Sequence, residues 1–512
     1  MTPLLAQVDV VVEVDPLMVA SFSLYLLLVV GIAFYAARNW TGSMGEFYLG
    51  GRRMKDVVVA LSAVTSGRSA WLVLGVTGTA FAMGASAVWA LVGYILMELF
   101  LFLVAAPRLR RFTGRMDNIT LPDFFESRFG GGVEGLRRLT VLVIVVFMTA
   151  YVSAQFAAGG KAFQSTFGIG ENTGIWITAA IVLIYTIAGG YVAVSLNDVV
   201  QAVFMIFGLV LLPIVALTQI GYQPMLATLS ELDPTLVDPT ALGIGAAIGF
   251  IGIGLGSPGN PHILVRYMSI DNPANLRKSA LWGTTWNVLM GWGALFIGLA
   301  GRAIYGEVAA LPNEDTEQLF PLLASEFLPG IIVGFLVAAV FAAIMSTADS
   351  QLLVGASGVV RDIYQRVVPN AENRDSKHYV FVSRITVLVM VLIAGALLYL
   401  PGAEDLVFWL VLFAWGGLGA AFGPPVLFCL FWKRTTAAGV MAGIFVGAAT
   451  VVAWYYIPGL TDIIYEGVPG FIASTLAVWL VSLATRVPED VERIVNDLLP
   501  EAVGATRKEQ ER

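Results

Sequence analysis

Apolar runs recur along almost the whole chain, and at roughly 20 residues each they restrict the fold more than any other feature. A run of that length forms a helix that can cross the ~30 Å hydrocarbon core of a bilayer. Hydrophobic residues make up 58% of the 512 residues and charged residues only 13%, which gives a soluble protein too much apolar surface. The sequence therefore predicts an all-α, multi-pass membrane protein built as one helical bundle.

About thirteen runs satisfy the length rule for a membrane span. They lie near residues 17–37, 56–82, 86–107, 139–160, 173–189, 191–219, 240–258, 279–302, 329–351, 380–400, 405–432, 436–457 and 468–485. We treat residues 1–485 as a single transmembrane domain and residues 486–512 as a tail. Within the tail, residues 488–499 are predicted to be either a short amphipathic helix on the membrane or a solvated segment.

Basic residues fall in alternate loops and set the predicted orientation. All Lys and Arg residues except Lys161, Arg302 and Arg68 lie in the loops near 38–55, 108–138, 266–278, 361–384 and 433–434 or in the tail. Loops rich in Lys and Arg face the cytoplasm. We therefore expect a protein of the inner (plasma) membrane with its N-terminus outside and its C-terminus in the cytoplasm.

Two spans contain interruptions that a continuous membrane helix does not favour. Residues 62–71 form a polar patch, and residues 252–261 combine dense glycine with two prolines. The two interruptions are five spans apart, as expected for inverted repeats whose first helices are broken to hold ions and substrate. We predict repeats over about residues 56–219 and 240–432. The alternative is that these small residues only let helices pack closely.

Polar side chains deep in other spans supply candidate ion ligands. Ser346 and Thr347 follow Ala343 by about one helical turn, so their oxygens could surround a sodium ion, or the hydroxyls could simply bond back to their own helix. Asp349 and Asp198 are carboxylates inside or near spans, where a charge is costly and usually functional or paired. Asp198 lies close to the predicted cytoplasmic side, so hydration is its alternative explanation.

Arg68 lies near the middle of its span, where a guanidinium costs at least about 2.5–3.5 kcal/mol unless it is paired or hydrated. Three partners are open. They are a substrate carboxylate, a protein carboxylate such as Asp349 or Asp198, and the ion site itself, with Arg68 replacing the coupling cation.

Other chemistry finds no support in the sequence. We identify no nucleophile–base pair, no metal cluster and no stripe of basic residues for nucleic acid, so we expect neither an enzyme nor a nucleic-acid-binding protein. The expected ligands are a small solute and sodium within the lipid bilayer. No other cofactor and no protein partner is evident.

Six short stretches resemble the sodium/solute symporter family, and most closely its sodium/proline branch. They are FYLGGR at 47–52, LPDFFESRF at 121–129, YTIAGGYVAV at 185–194, PHIL at 261–264, MST at 345–347 and GAAFGP at 419–424. The resemblance covers about residues 45–485. It implies a thirteen-helix fold with the leucine-transporter-type inverted repeat of five plus five helices.

The same resemblance implies positions for the functional site. It places sodium between backbone carbonyls near Thr65 and Arg68 and the residues opposite, Ala343, Ser346 and Thr347, with Asp198 on the ion path. It places the substrate pocket at Ser69, Trp71, Tyr151, Ile253 and Ser257, where Arg68 is a candidate for binding a substrate carboxylate.

Two departures from the proline branch affect how these site positions carry over to this chain. The branch has an acidic residue where this chain has Gly67, and an apolar residue where this chain has Arg68. Its aromatic pocket residues correspond to Ile253 and Ser257. We expect sodium-driven import of an amino acid such as proline, or of a carboxylate. The alternatives are a sodium-independent carrier or exchanger in which Arg68 replaces the cation, and a transporter-like solute sensor.

Overall fold

The computed structural model describes residues 14–39, 44–369, 374–400 and 406–487, and within them the chain is almost entirely helical. No β-strand forms among these residues, apart from an isolated bridge between Met54 and Ile270. The predicted amphipathic segment at 488–499 lies outside the described residues. The predicted all-α fold is confirmed.

In the first half of the chain the helices are α1 (Pro16–Asn39), α2 (Met44–Leu49), α3 (Asp56–Ala70), α4 (Thr77–Met83), α5 (Val88–Phe100), α6 (Ala106–Arg115), α7 (Leu121–Arg128), α8 (Glu134–Phe167), α9 (Glu171–Ile220) and α10 (Tyr222–Leu232). In the second half they are α11 (Ile244–Gly252), α12 (Pro261–Ser269), α13 (Leu276–Tyr305), α14 (Leu319–Phe327), α15 (Gly330–Ser357), α16 (Gln365–Val367), α17 (Ser376–Leu397), α18 (Val407–Phe431), α19 (Ala437–Tyr456), α20 (Leu460–Ile463) and α21 (Gly467–Ala484).

Ten helical stretches among the described residues are long and apolar enough to cross a membrane. Two of them, Asp56–Arg115 and Glu171–Ile220, contain 60 and 50 residues, more than twice the ~20 that one crossing needs. Each contains a glycine with positive φ, Gly84 in the first and Gly190 in the second. The shorter apolar stretch Ile244–Gly259 is not among the ten. The count of about thirteen crossings stays a prediction.

Gly190 lets the long helix α9 turn. Its φ of +62° is unfavourable for residues that carry a Cβ. A Cβ at this position would lie 2.7 Å from the Phe47 ring and 3.0 Å from the Phe47 carbonyl oxygen. Glycine is therefore required here by both backbone conformation and space.

Helix α15 lies at the centre of the bundle, where it packs against α1, α3, α8 and α9. In its most apolar window 83% of the residues are buried, compared with 33% for the peripheral helices α19 and α21. α19 and α21 pack on each other and on α18. Polar groups on α15 are therefore closely enclosed by protein.

The basic loop predicted over 108–138 is folded against the bundle. It contains α7, which begins with a capping box in which Thr120 and Asp123 bond each other's backbone N–H groups. Burial raises the pKa of Asp123, but Arg361 and Arg137 outweigh it and hold that pKa below its usual value. Arg137 is buried and also pairs with Asp362. These ion pairs allow the Arg137 side chain to be buried, although the sequence predicted a loop over 108–138.

On the predicted external side, Lys161 of α8 has two acidic partners. Its ammonium lies 2.9 Å from Asp315 and 2.7 Å from Glu317. The Glu317 carboxylate also accepts the backbone N–H groups of Val407 and Phe408, which begin α18. One buried carboxylate therefore joins α8, the 316–318 turn and α18.

Candidate functional site

The first break in a spanning helix lies at Ser69, near the end of α3. Its φ of 49° and ψ of −171° cost an L-residue about 1–3 kcal/mol. Because the helix is interrupted, the Ala70 N–H needs another acceptor, and Gln155 Oε1 of α8 accepts it at 3.1 Å. The interruption predicted at 62–71 is confirmed. The role of Gln155 was missed, and an amide inside an apolar helix was the only signal for it.

The second break separates α11 from α12. Residues Ile253–Gly259 form a 3₁₀ turn that contains Pro258, and Pro261 begins the next helix. The indole N–H of Trp415 in α18 donates to the Ile253 carbonyl at 2.7 Å. The predicted interruption at 252–261 is therefore confirmed, and α18 satisfies a backbone group that the break exposes.

Hydroxyls of α15 meet carbonyls of α3 across the helix interface. Ser346 Oγ lies 3.3 Å from the Thr65 carbonyl oxygen and 3.2 Å from that of Ala343. Thr347 Oγ1 lies 3.0 Å from the Ser66 carbonyl oxygen. Except for Ala343, these contacts run between helices, so the hydroxyls do more than bond back to α15. Five oxygens converge in a fully buried volume.

Arg68 makes side-chain contacts that the sequence did not predict. Its carbonyl accepts a hydrogen bond from the Trp71 N–H. Its guanidinium is fully buried, donates through Nε to Asn287 Oδ1 and lies 3.7 Å over the Tyr94 ring. Asn287 in turn donates to Glu98. Sequence reasoning missed Glu98, a carboxylate in the apolar helix α5.

A second buried arginine, Arg266 of α12, is the partner of Asp198. Its Nη2 lies 3.2 Å from Asp198 Oδ2, and both side chains are fully buried. Ser62 donates to the same carboxylate oxygen at 2.5 Å and accepts Arg266 Nε at 3.0 Å. Ser350, which donates to Asp349 at 2.9 Å, also accepts from Arg266. These contacts link α3, α9, α12 and α15.

Three expectations are corrected by these contacts. Arg266 was predicted to lie in the cytoplasmic loop 266–278, but it is buried because Asp198 and neighbouring hydroxyls compensate its charge. For Arg68, the predicted partners Asp198 and Asp349 are wrong, because its guanidinium donates to Asn287, while Asp198 pairs with Arg266 and Asp349 accepts from Ser350. The protein carboxylate near Arg68 is Glu98, reached through Asn287. Hydration does not explain Asp198, which is fully buried.

Three of the predicted pocket residues meet beside the first break. Tyr151 OH lies 3.4 Å from Ser69 Oγ, and Trp71 stacks between Tyr94 and Phe408, with ring centroids 6.2 and 5.8 Å away. All are buried. A stack of three aromatic rings therefore lies next to a hydroxyl pair.

Several buried polar atoms near the two breaks make no hydrogen bond to the described part of the chain. They are Trp71 Nε1, Gln155 Nε2, Ser257 Oγ and the Nη1 and Nη2 atoms of Arg68. Buried polar groups are almost always paired in native proteins, so each needs a partner such as water or a ligand. These atoms therefore retain hydrogen-bonding capacity close to the two breaks.

Ile253 is the predicted pocket residue that faces an open cavity. The cavity has a volume of about 860 Å³ and is also lined by Phe250, Trp409, Tyr465 and Glu466. Tyr151, Trp71 and Ser257 do not line this cavity, and like Ile253 itself each is at most 2% exposed. All four side chains are therefore enclosed by protein, and Ile253 also borders the cavity.

His262 lies deeper than its sequence position suggested. The imidazole is fully buried, and its ring meets the Tyr151 ring edge-on at 6.1 Å. It is the second residue of α12, so the break in the helix brings it inward.

Comparison with known proteins gives consistent matches along the chain. A family model described as the sodium:solute symporter family matches residues 47–447. The high-affinity proline transporter PutP of Bacillus subtilis (strain 168) is 39% identical over 460 residues, covering 89% of this chain and 95% of that protein. A sodium/proline symporter of Staphylococcus aureus (strain JH9) is 38% identical over 480 residues, covering 91% and 92%.

Two solved structures share the fold. A Na⁺-coupled sialic acid symporter in a substrate-bound, outward-open state aligns with a TM-score of 0.78 at 19% identity, covering 92% of this chain and 99% of that chain. MhsT in complex with L-phenylalanine aligns with a TM-score of 0.55 at 13% identity, covering 84% and 99%. The predicted leucine-transporter-type architecture is confirmed.

Proposed function

The chain belongs to the sodium:solute symporter family, and we propose that it imports a small amino acid, with proline as the first candidate, together with sodium. In this proposal the two broken helices move relative to the rest of the bundle, so that one central site opens to each side in turn. The solute and ion bind beside the breaks, where backbone and side-chain groups lack helical partners.

The observation that carries the proposal is the meeting of α3 carbonyls with α15 hydroxyls. Thr65 and Ser66 present carbonyl oxygens toward Ser346 and Thr347 at 3.0–3.3 Å. Carbonyls of a broken helix are the groups that hold sodium in transporters of this architecture. We propose that sodium binds among these oxygens, together with Ala343. The main-chain carbonyl of Arg68, which the resemblance also implicates, is a further proposed ligand.

The proposed substrate site lies beside this ion site. It consists of Arg68, Ser69, Trp71, Tyr151, Ile253 and Ser257. The unpaired Ser257 Oγ and Trp71 Nε1 supply hydrogen-bonding groups, and the Trp71 ring supplies an apolar wall. Two relatives that are 38–39% identical are named as proline transporters, which makes proline the first solute to test.

We further propose that the protein lies in the plasma membrane with its N-terminus outside. The concentration of Lys and Arg in alternate loops supports this orientation. In this orientation Asp198 and Arg266 lie on the cytoplasmic side of the sodium site, and Asp198 is on the path by which the ion leaves.

Uptake into proteoliposomes tests the proposal. Purified full-length protein is given a panel of labelled amino acids and carboxylates under an inward sodium gradient, an inward proton gradient or neither. We expect concentrative uptake of proline, or of another small amino acid, only with the sodium gradient.

Two other results would change the assignment. If the protein exchanges internal for external solute one for one, and sodium does not change the rate of exchange, the carrier in which Arg68 replaces the cation is favoured. Solute binding without any transport would favour the sensor. Vesicles of the same lipid mixture without protein are the control for leakage.

A further inference from the structure

Arg68 places a permanent positive charge next to the proposed sodium site. It follows Thr65 by three residues, or about one helical turn, and it is fully buried. A buried cation on the helix that supplies the proposed ligands repels a second cation more strongly than it would in water, because protein screens charge poorly. Sodium binding therefore needs a compensating negative charge nearby.

Glu98 is placed to supply that charge. It is 2% exposed on α5, four residues after Tyr94, whose ring carries the Arg68 guanidinium on its face. Asn287 of α13 bridges the two groups, accepting from Arg68 Nε and donating to Glu98. The other Glu98 oxygen has no hydrogen-bond partner among the described residues. The hydrogen-bonded side chains of Arg68, Asn287 and Glu98 thus join α3, α13 and α5.

We infer that Glu98 is the counter-charge that allows a sodium ion to bind beside Arg68. The inference rests on the proposed sodium site and extends it to two residues, Glu98 and Asn287, that do not touch the ion. Glu98 is thus a positioning residue that acts through Asn287 and Arg68.

The test measures sodium binding without substrate. Purified full-length protein in detergent is heated at a series of sodium concentrations, with choline keeping the ionic strength constant, and the sodium concentration for half-maximal stabilisation is recorded. The variants are Glu98→Gln, Arg68→Met and the double variant. The matched control is Glu134→Gln, which removes a carboxylate from an exposed pair with Arg138.

The two single variants are expected to move in opposite directions. Glu98→Gln leaves Arg68 uncompensated, so the half-maximal sodium concentration rises roughly tenfold, the size expected for one charge in a protein-like dielectric. Arg68→Met leaves a surplus negative charge, so that concentration falls. The double variant returns to within about threefold of the unaltered protein, because both charges are absent. A merely structural role would shift both single variants in the same direction.

Three outcomes decide the matter. Unaltered protein that shows no sodium stabilisation overturns the proposed sodium site, and this inference with it. A normal sodium response with single-variant shifts in one direction, or a double variant no closer to normal than Glu98→Gln, overturns only the counter-charge. If Glu98→Gln cannot be purified, tighter binding in Arg68→Met with near-normal binding in the double variant still supports it, and any other result contradicts it.

Discussion

Gly67 and Tyr94 are fitted to each other at the level of single atoms. Tyr94 OH donates to the Gly67 carbonyl at 3.0 Å. A Cβ on Gly67 would lie 2.1 Å from that hydroxyl oxygen, closer than any real contact. This is the physical reason why the chain cannot carry, at position 67, the acidic side chain that the resemblance leads one to expect.

Gly67→Ala is accordingly expected to lower the stability of the protein by about 1–3 kcal/mol, the usual cost of overpacking. Tyr94→Phe removes the clashing oxygen and leaves the nearest ring carbon at 3.4 Å, so that the tightest remaining contact is Ile263 Cδ1 at 3.1 Å, which requires a shift of only a few tenths of an ångström. The thermal midpoint of the Gly67→Ala/Tyr94→Phe protein should therefore exceed that of Gly67→Ala alone. Equal midpoints would show that the steric explanation is wrong.

Ser346 and Thr347 are expected to affect the sodium requirement. Replacing either with Ala removes one proposed ligand, and the sodium concentration for half-maximal uptake should rise roughly ten- to 150-fold, since a lost contact to a charged group is worth about 1.5–3 kcal/mol. Ser357→Ala is the matched control, because within the described ranges that hydroxyl on the same helix bonds only to the Val354 carbonyl. Unchanged sodium dependence in both Ser346→Ala and Thr347→Ala would place the ion elsewhere.

At the scale of elements, the break in α3 depends on α8. Gln155 Oε1 accepts the Ala70 N–H, which the interruption at Ser69 leaves without a helical acceptor. Gln155→Leu keeps a side chain of similar size but leaves that buried N–H unpaired. We expect a loss of about 1–3 kcal/mol in stability, measured by thermal unfolding.

The matched control is Gln164→Leu, a partly exposed position on the same helix. Its stability should stay close to that of the unaltered protein. If Gln155→Leu is no less stable than this control, the amide does not support the break.

Helix positions could be predicted from sequence much better than polar partners. The run at 437–456 was expected at 436–457 and the helix at 467–484 was expected at 468–485, because the length of an apolar run directly limits a membrane helix. Partners were harder, since Glu98 and Asn287 are 189 residues apart. Nothing local in either segment indicates the other.

Arg266 shows why a charge can be misassigned. It ends an apolar stretch, and a basic residue in that position usually marks the edge of a span. Its partner Asp198 lies 68 residues earlier, on another helix. Only the folded arrangement brings the two together, so the sequence placed Arg266 in a loop while the structure buries it.

On the scale of the whole molecule, the pair between Arg266 and Asp198 links four helices through its hydroxyl partners Ser62 and Ser350. Removing one partner leaves the other charge buried and alone, which typically costs about 3–5 kcal/mol. We therefore expect Arg266→Gln to lower the thermal midpoint strongly. The double variant Arg266→Gln/Asp198→Asn should recover most of that loss, since no uncompensated charge is left.

The exposed arginine Arg138, which pairs with Glu134, provides the control for this prediction. Exposed pairs contribute roughly 0–1 kcal/mol, so Arg138→Gln should change the midpoint little. A double variant as unstable as Arg266→Gln alone would mean that the pair stabilises the fold through packing instead of charge.

The contact between Gly67 and Tyr94 also constrains how this protein can evolve. A lineage that first acquires a side chain at position 67 passes through an overpacked intermediate, whereas one that first replaces Tyr94 does not. Losing the tyrosine ring, however, also removes the aromatic face beneath Arg68. We therefore expect position 94 to change before position 67, and a change at position 94 that removes the ring to affect Arg68 as well.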